Sequence, residues 1–360
     1  MPDRYIKGYE IRSVACVQDI RGPLTPLHAF IGPNDSGKSS ILRAFRIAMQ
    51  LATGGFDEDE QTGELLPFDP GSLAQGARVR LHFAGDNIGY AFDRITNNII
   101  EDTHFSGAEH HSSSRSWNVS DLLDEDFPLW PASHVSWARQ GSRFIHFAPA
   151  ALRADSELIP EDGRVGLADE YGHGLAGIFD VFFNRGDDSV LRIMQSVRRL
   201  FPTIQSLRLR NRSRGTKALE IELTSGERVP AAQLSEGLLF YLAFAALQHL
   251  DPVALLLVEE PENGLHPSRI ADVMRILREI SKTTQVVLAT HSPLVINEMQ
   301  GDEVTLVTRD PKQGTQVRLL SSTPHFAERS KVYALGELWL SYANGLDEEP
   351  LLRDDRSDAP

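Results

Sequence analysis

The chain has 360 residues, of which 41% are hydrophobic, and a formal net charge of −14 at pH 7. This length can bury a large core, either as one elaborated domain or as two smaller ones. No apolar run reaches the roughly 18 to 20 residues that span a bilayer, and the charged N-terminus is unlike a signal sequence, so we expect a cytoplasmic protein. The single cysteine, Cys16, excludes an intrachain disulfide and a cysteine-cluster metal site, and its apolar neighbours predict core packing.

The first strongly patterned segment is a strand, a glycine-rich loop and a helix. A continuous apolar run over 27–31 predicts a strand buried on both faces of a parallel sheet. The loop over 32–39 reads Gly-Pro-Asn-Asp-Ser-Gly-Lys-Ser, which is the spacing of a phosphate loop. Apolar residues on one face predict a helix over 39–51, whose positive N-terminus would point at the phosphates.

The chemistry of this loop predicts a nucleotide site. Glycines let the backbone turn its N–H groups around phosphate oxygens, Lys38 would neutralise the β and γ oxygens, and Ser39 would supply a hydroxyl ligand to magnesium. The predicted nucleotide-binding residues of the loop are Asn34, Asp35, Ser36, Gly37, Lys38, Ser39 and Ser40.

The middle of the chain has a different pattern. Residues 78–83 and 90–94 predict an antiparallel pair, and the polar segment 101–120, rich in His and Ser, is predicted to be a loop. From about 163 to 201 the pattern turns helical. A hairpin is then predicted over 206–223, and we interpret this part as a lobe inserted between two halves of one sheet.

The hairpin lies in the most basic stretch of the chain. If Arg208 and Arg210 share one strand face, they could hold the phosphates of DNA, and a solvated hairpin is an equally good interpretation. The basic residues of this stretch are Arg198, Arg199, Arg208, Arg210, Arg212, Arg214 and Lys217.

The segment Leu234-Ser235-Glu236-Gly237 opens an apolar helix predicted over 238–250. Ser235 is a favourable N-cap residue, and capping is the simplest role for it. The alternative is that this positive helix end, with Ser235 and Gly237, contacts a γ-phosphate bound to a second subunit.

A second strand, predicted over 254–258, ends in two acids. Carboxylates at the carboxyl edge of a parallel sheet lie where nucleotides bind in such folds. Glu259 would hold magnesium, and Glu260 would orient and deprotonate the attacking water. Two acids after a strand could also begin a solvated loop, and the phosphate loop is what favours the catalytic interpretation.

The last patterned part alternates helix and strand again. A helix is predicted over 267–280 and a strand over 285–290, which is followed by His291. A histidine at a strand end is commonly structural, and this position would also let it reach a γ-phosphate beside Glu260. Because strands alternate with helices, we expect an α/β fold with a mostly parallel sheet.

Taken in order, these elements resemble the ABC-type ATPase family. The glycine-rich loop resembles its Walker A motif, 234–237 its signature motif, 255–260 its Walker B motif, and His291 its switch histidine. Residues 261–267 are similar to the D-loop of RecF, SMC-type heads and overcoming-lysogenisation-defect (OLD) nucleases. Transporter ATPases carry other residues there, so no membrane partner is expected.

The resemblance implies an ABC-type P-loop head with a mostly parallel central sheet, an antiparallel β subdomain and an inserted helical lobe. It implies ATP and Mg²⁺ as cofactors and a homodimer closed around two ATP molecules. Glu259 replaces the usual aspartate, and Gln140 is the candidate glutamine-loop ligand of the metal. The segments expected are 1–160 and 234–325 for the two halves of the head, 161–233 for the lobe, and 326–360 for a C-terminal helix and acidic tail.

OLD-type proteins carry a Toprim nuclease domain after the head, and about 50 residues follow the strand predicted over 304–309 here. We therefore expect a head that controls a separately encoded effector, such as a nuclease in phage defence. Two alternatives stay open: a RecF-like DNA-repair ATPase, and a regulatory scaffold that binds ATP with little turnover.

Overall fold

The structure is a computed structural model, and it describes residues 5–53, 77–83, 86–93, 98–105, 111–118, 140–186, 188–310 and 312–343. The strands are β1 (Gly8–Val14), β2 (Val17–Pro23), β3 (Leu27–Ile31), β4 (Ala77–His82), β5 (Asp86–Asp93), β6 (Asn98–Phe105), β7 (His111–Asn118), β8 (Ser142–Ile145), β9 (Ser156–Glu157), β10 (Ile204–Asn211), β11 (Thr216–Leu223), β12 (Arg228–Pro230), β13 (Leu255–Glu259), β14 (Gln285–Thr290), β15 (Val304–Asp310) and β16 (Gly314–Leu319).

The α-helices are α1 (Lys38–Thr53), α2 (Pro149–Arg153), α3 (Leu175–Arg185), α4 (Ser189–Leu200), α5 (Glu236–Leu247), α6 (Pro267–Ile280), α7 (Pro293–Asn297), α8 (Phe326–Arg329) and α9 (Leu335–Ala343). The chain divides into two compact units. The first comprises residues 1–143, 253–260 and 284–360, and the second comprises 144–252 and 261–283. No described helix is long and apolar enough to cross a membrane.

The first unit is built on a six-stranded sheet in the order β16-β15-β3-β14-β13-β8. Strands β15, β3, β14 and β13 run parallel, and β16 is antiparallel to β15. Every residue of β3 and β14 is buried, as expected of central strands. The mostly parallel sheet predicted from the sequence is therefore confirmed.

A histidine lies inside the core of this sheet. His28 on β3 is fully buried, and its Nε2 and Nδ1 atoms lie 2.9 Å from Thr305 Oγ1 and 3.1 Å from Thr25 Oγ1. Burial lowers the pKa of His28 to about 3, because the charged imidazolium would lose its hydration. The side chain is therefore neutral and structural.

The same unit contains an antiparallel sheet in the order β2-β1-β4-β5-β6-β7. The antiparallel pair predicted over 78–94 is confirmed as β4 and β5. The predicted loop at 101–120 is wrong, because most of it forms β6 and β7, paired with each other from Asn98↔Asn118 to Phe105↔His111. Pairing with an existing sheet edge satisfies backbone hydrogen bonds and overrides the weak strand propensity of polar residues.

The second unit contains α2 to α6 and a small sheet in the order β10-β11-β12, with β9 paired to β11. Ten residues of α5 are buried, from Leu238 to Leu247, and this helix packs against α2, α3, α4 and α6. The hairpin predicted over 206–223 is confirmed as β10 and β11.

Helical structure in this unit begins later than the sequence pattern suggests. After the short helix α2, the next helix, α3, starts at Leu175 instead of near 163. Asp169 fixes the preceding segment as a loop, because its Oδ1 accepts the backbone N–H groups of Tyr171, Gly172 and His173 at 3.0 to 3.1 Å. The predicted acidic tail, 347–360, lies outside the described residues.

Candidate functional site

The glycine-rich loop connects β3 to α1 and has room only for glycine at two positions. A Cβ atom at Gly32 would lie 2.0 Å from the carbonyl oxygen of Val307, and one at Gly37 would lie 2.4 Å from Thr315 Oγ1. Gly37 has φ +106°, and Asp35 has φ 64°, in the left-handed region that aspartate tolerates. The backbone conformation thus matches that of a loop that turns its N–H groups inward.

The polar side chains of the loop are arranged for anion binding. Lys38 is 8% exposed, and its Nζ donates to the carbonyl oxygens of Gly32 at 2.8 Å and Pro33 at 2.7 Å. Ser36 Oγ is buried and has no hydrogen-bond partner among the described residues. Ser39 is exposed on the first turn of α1. A buried ammonium, a buried hydroxyl and a helix N-terminus at one loop fit a phosphate chain. Of the other predicted contacts, Asn34 is exposed and Ser40 is buried.

Three residues that the sequence did not assign to this site border the loop. Cys16, predicted to be in the core, is instead half-buried in the turn between β1 and β2, with Sγ 3.4 Å from Ser40 Oγ. Thr315 Oγ1 donates to Ser36 O at 2.9 Å, and Arg309 donates to Asp35 O at 3.3 Å. A cavity of 170 Å³ is lined by Cys16, Asp35, Gly37, Lys38, Ser39, Ser40 and Arg309. No local pattern predicts these contacts, because they depend on strand order.

The two acids predicted to act in hydrolysis lie at the end of β13, which is paired with β14. Glu260 has φ 46°, and its N–H donates to Ala289 O at 2.8 Å. Its Oε1 lies 3.4 Å from Nδ1 of His291, the residue that follows β14. The side chains of Glu260 and His291 are 32% and 48% exposed, so a water molecule and a phosphate can reach both. Glu259 is half-buried at the last position of the strand.

The residues present fit a Mg²⁺ ion that is bound jointly by the protein, the phosphates and water. Within the described part of the chain, no three His, Cys, Asp or Glu side chains gather into a metal site. Magnesium in phosphate sites needs only one or two protein ligands besides waters and phosphate oxygens, and Ser39 and Glu259 are of the right type. Gln140 lies half-buried in the turn before β8, and its role as a metal ligand stays a prediction.

The signature segment belongs to the second unit. Ser235 is exposed and caps α5, since its Oγ accepts the N–H of Leu238 at 3.4 Å. A Cβ atom at Gly237 would lie 3.3 Å from the carbonyl oxygen of Gly264. The capping role of Ser235 is therefore confirmed. Because Ser235 is exposed, the N-terminal end of α5 stays accessible to a ligand.

One side chain positions this segment through a contact that no sequence pattern predicts. Arg153, at the end of α2, donates from Nη2 to the carbonyl oxygen of Leu234 at 3.1 Å. Phe147, just before α2, packs edge-on against Phe240 and Phe244 of α5, with ring centroids 6.2 and 5.0 Å apart. The α2 segment thus supports the start and the body of α5.

Comparison with known proteins places these features in context. Residues 27–297 match a family model described as "AAA domain, putative AbiEii toxin, Type IV TA system". A curated relative, an OLD nuclease from Thermus scotoductus, is 41% identical over 44 residues. That match covers 12% of this chain and 8% of the nuclease, so the chain spans only a small part of this relative.

Solved structures of SMC heads share the fold. An SMC head bound to the C-terminal winged-helix domain of ScpA has a TM-score of 0.58 at 18% identity, covering 91% of this chain and all of that one. The SMC head with coiled coil and joint from Pyrococcus yayanosii has a TM-score of 0.52 at 13% identity, covering 91% and 99%. These matches confirm the head fold. Together with the family model and the OLD nuclease match, they confirm the resemblance to the SMC and OLD-like group.

Proposed function

Because the chain belongs to the AAA domain family described as putative AbiEii toxin, type IV TA system, we propose that it is an ATP-hydrolysing ABC-type head. In this proposal two copies close around two ATP molecules and control a separate effector, a nuclease acting in phage defence. The observation that carries the ATPase proposal is the arrangement of three neighbouring strand ends, which hold the loop of Lys38, the carboxylate of Glu260 and the imidazole of His291.

Each of these residues has a defined task in hydrolysis. The Lys38 ammonium neutralises the β and γ phosphate oxygens, while the backbone N–H groups of the loop hold the phosphate chain in place. Glu260 accepts the proton of a water molecule as the water oxygen attacks the γ-phosphorus and ADP leaves. His291, 3.4 Å from Glu260, keeps that carboxylate oriented and donates toward the γ-phosphate. Magnesium bound by Ser39 and Glu259 would offset the charge of the phosphates.

The exposed start of α5 supports the dimer. Ser235 caps a 12-residue helix, and the helix dipole at this end favours an anion. We propose that the anion is the γ-phosphate held by the Lys38 loop of the other copy, so that ATP joins the two copies and hydrolysis separates them.

The effector part of the proposal is supported by the description of the matched family and by the short match to an OLD nuclease. The family description names a putative toxin, and the OLD protein is a nuclease. A head whose dimer forms and dissociates with the nucleotide state provides a two-state element that a partner can read.

A second candidate is a RecF-like DNA-binding ATPase. It is favoured by Arg208 and Arg210, which lie two residues apart on β10 and so point to the same face of the sheet. In this case DNA would stimulate hydrolysis, and no dedicated effector would be needed.

Replacement of Glu260 by Gln tests the ATPase proposal. We expect turnover to fall by about 10²- to 10⁴-fold while ATP still binds, and the protein to elute as a stable dimer in ATP and magnesium. The matched control is Glu328→Gln, an exposed carboxyl on α8. Unchanged turnover and unchanged assembly would support the scaffold interpretation and contradict this proposal. Effector control is tested separately, by identifying proteins that co-purify in ATP and in ADP.

A further inference from the structure

The second unit contains an open groove of 740 Å³ along strand β10, lined also by helix α3 and by strands β11 and β12. Strand β10 is at the edge of its sheet, so no other strand that the structure describes covers its outer side. The helix lines the groove with Asp180, Phe183 and Asn184, which share one face by their i, i+3 and i+4 spacing. The strand contributes four consecutive residues, 207–210, which point alternately to its two faces, so the groove runs over the free edge of β10.

The helix wall of the groove presents an aromatic ring to solvent. Phe183 is 44% exposed, whereas Phe179 and Phe182 of the same helix are buried in the core. An exposed phenylalanine costs free energy in water unless it is covered by a ligand, because its apolar surface stays hydrated. In the groove, this ring is available for stacking.

The ion pairs in and beside the groove leave some of its basic side chains without a carboxylate partner. Lys217 holds Asp180 at 2.7 Å, and Arg208 holds Glu222 at 2.7 Å, so these two carboxylates are neutralised within the unit. Arg210 is exposed, and it makes no hydrogen bond or ion pair with any other described residue. Arg210 lies on the same face of β10 as Arg208 and lines the groove, so it adds a cation that no described carboxylate neutralises.

The lining of the groove is basic although the protein is acidic. It contains four basic side chains, Arg208, Arg210, Lys217 and Arg228, and two acidic ones, in a chain of net charge −14. Arg228, exposed on β12, also lines the groove, and Glu220 is the remaining carboxylate there. The local excess of positive charge favours a polyanion over an acidic or neutral peptide that carries fewer charges.

We propose that this groove binds single-stranded nucleic acid, with a base stacked on Phe183 and phosphates held by Arg210 and Arg228. Grooves that bind single strands combine cations along the backbone with exposed aromatic rings for the bases. In a duplex the base faces are stacked on one another and cannot reach a ring on a side wall. The inference rests on the second candidate function above and names its site and the form of the nucleic acid.

Binding of a fluorescent oligothymidylate tests the inference, with fluorescence anisotropy measured on the full chain at low salt. We expect Phe183→Ala to weaken binding about tenfold, since one stacked base is lost. Arg210→Ala is expected to weaken binding and to reduce the slope of log affinity against log salt by about 0.7, since one phosphate contact is lost. An unlabelled duplex should compete poorly.

Two matched controls lie on the neighbouring helix α4, outside the groove. Leu191→Ala removes a side chain that is 52% exposed, and Arg192→Ala removes an exposed arginine. Both should bind the oligonucleotide as the wild type does. The inference is overturned by absence of binding at low salt, by equal losses in the control variants, or by a duplex that competes as well as a single strand.

ATP binding measured on the same samples separates this inference from the ATPase proposal. Lys38→Ala should lose ATP and keep the oligonucleotide, and Phe183→Ala should do the reverse. If ATP fails to bind the wild type while the oligonucleotide binds, the ATPase proposal falls and the groove stands.

Discussion

Nδ1 of His291 lies 3.4 Å from Oε1 of Glu260, and the two residues follow strands that are paired in parallel. Glu260 has φ 46°, which costs of the order of 1–3 kcal/mol for a residue other than glycine. The hydrogen bond from its N–H to Ala289 O holds this conformation. The backbone of both strands therefore fixes the relative position of the two side chains.

This geometry predicts a kinetic effect for His291→Ala. Loss of the imidazole should lower the kcat of ATP hydrolysis by about 10²-fold, because Glu260 loses its orienting partner and the γ-phosphate loses a donor. The KM for ATP should change by only a few-fold, since Lys38 and the loop are intact. Steady-state phosphate release measures both constants. His325→Ala, at an exposed histidine, is the control, and a kcat within twofold of the wild type for both variants would contradict the assigned role.

The fold leaves no space for a methyl group at position 32. The added Cβ would lie 2.0 Å from the backbone oxygen of Val307, and backbone atoms cannot rotate away as a side-chain end can. We expect Gly32→Ala to lower the free energy of unfolding by about 2 kcal/mol or more and to abolish ATP binding. Chemical denaturation and nucleotide titration measure the two effects.

Gly215 provides the comparison for this variant, since a Cβ atom there would meet nothing within 4 Å. Gly215→Ala should leave both stability and ATP binding near the wild-type values. If the two alanine variants behave alike, the tight packing of the loop against β15 is not what requires glycine.

Arg153→Ala should weaken the proposed dimer while leaving ATP binding to a single copy unchanged. The guanidinium holds the carbonyl oxygen of Leu234, and a hydrogen bond from a charged group contributes about 1.5–3 kcal/mol. Without it the segment before Ser235 loses a support, so the dissociation constant of the ATP-dependent dimer should rise at least tenfold. Analytical ultracentrifugation in ATP with a Glu260→Gln background gives this constant. An unchanged constant would show that the bond does not position the signature segment.

His28 predicts loss of stability in acid. Its pKa is lowered to about 3 in the folded protein from 6.5, so between these values the unfolded chain binds a proton that the folded one does not. Stability contributed by the neutral imidazole is therefore present above pH 6.5 and is lost as the pH falls toward 3. Between pH 7 and 5 the loss from this group is ~2 kcal/mol, at 1.36 kcal/mol per pH unit.

His28→Gln removes the titrating group while keeping a polar side chain near Thr305. Its free energy of unfolding should be lower at pH 7 but should fall less between pH 7 and 5 than that of the wild type. Urea denaturation at both values measures the difference. A His325→Gln variant should retain the full wild-type dependence, and an equal dependence in all three proteins would contradict the role of His28.

The sequence alone located the candidate site. The loop over 32–39, the acids that follow 254–258 and the histidine after 285–290 each stand at the end of an apolar run, and the structure places all three at the ends of parallel strands. This worked because a buried strand, the turn after it and a helix start are local patterns whose side-chain types can be recognised one element at a time.

Tertiary structure alone decided what surrounds those residues. Cys16, Thr315 and Arg309 border the phosphate loop only because β2, β15 and β16 lie beside it, and Arg153 reaches Leu234 across 81 positions in the chain. The polar segment after residue 100 became strands because a sheet edge was there to pair with it. Contacts between residues distant in sequence depend on which elements pack together, and that packing is a property of the whole chain that no local pattern encodes.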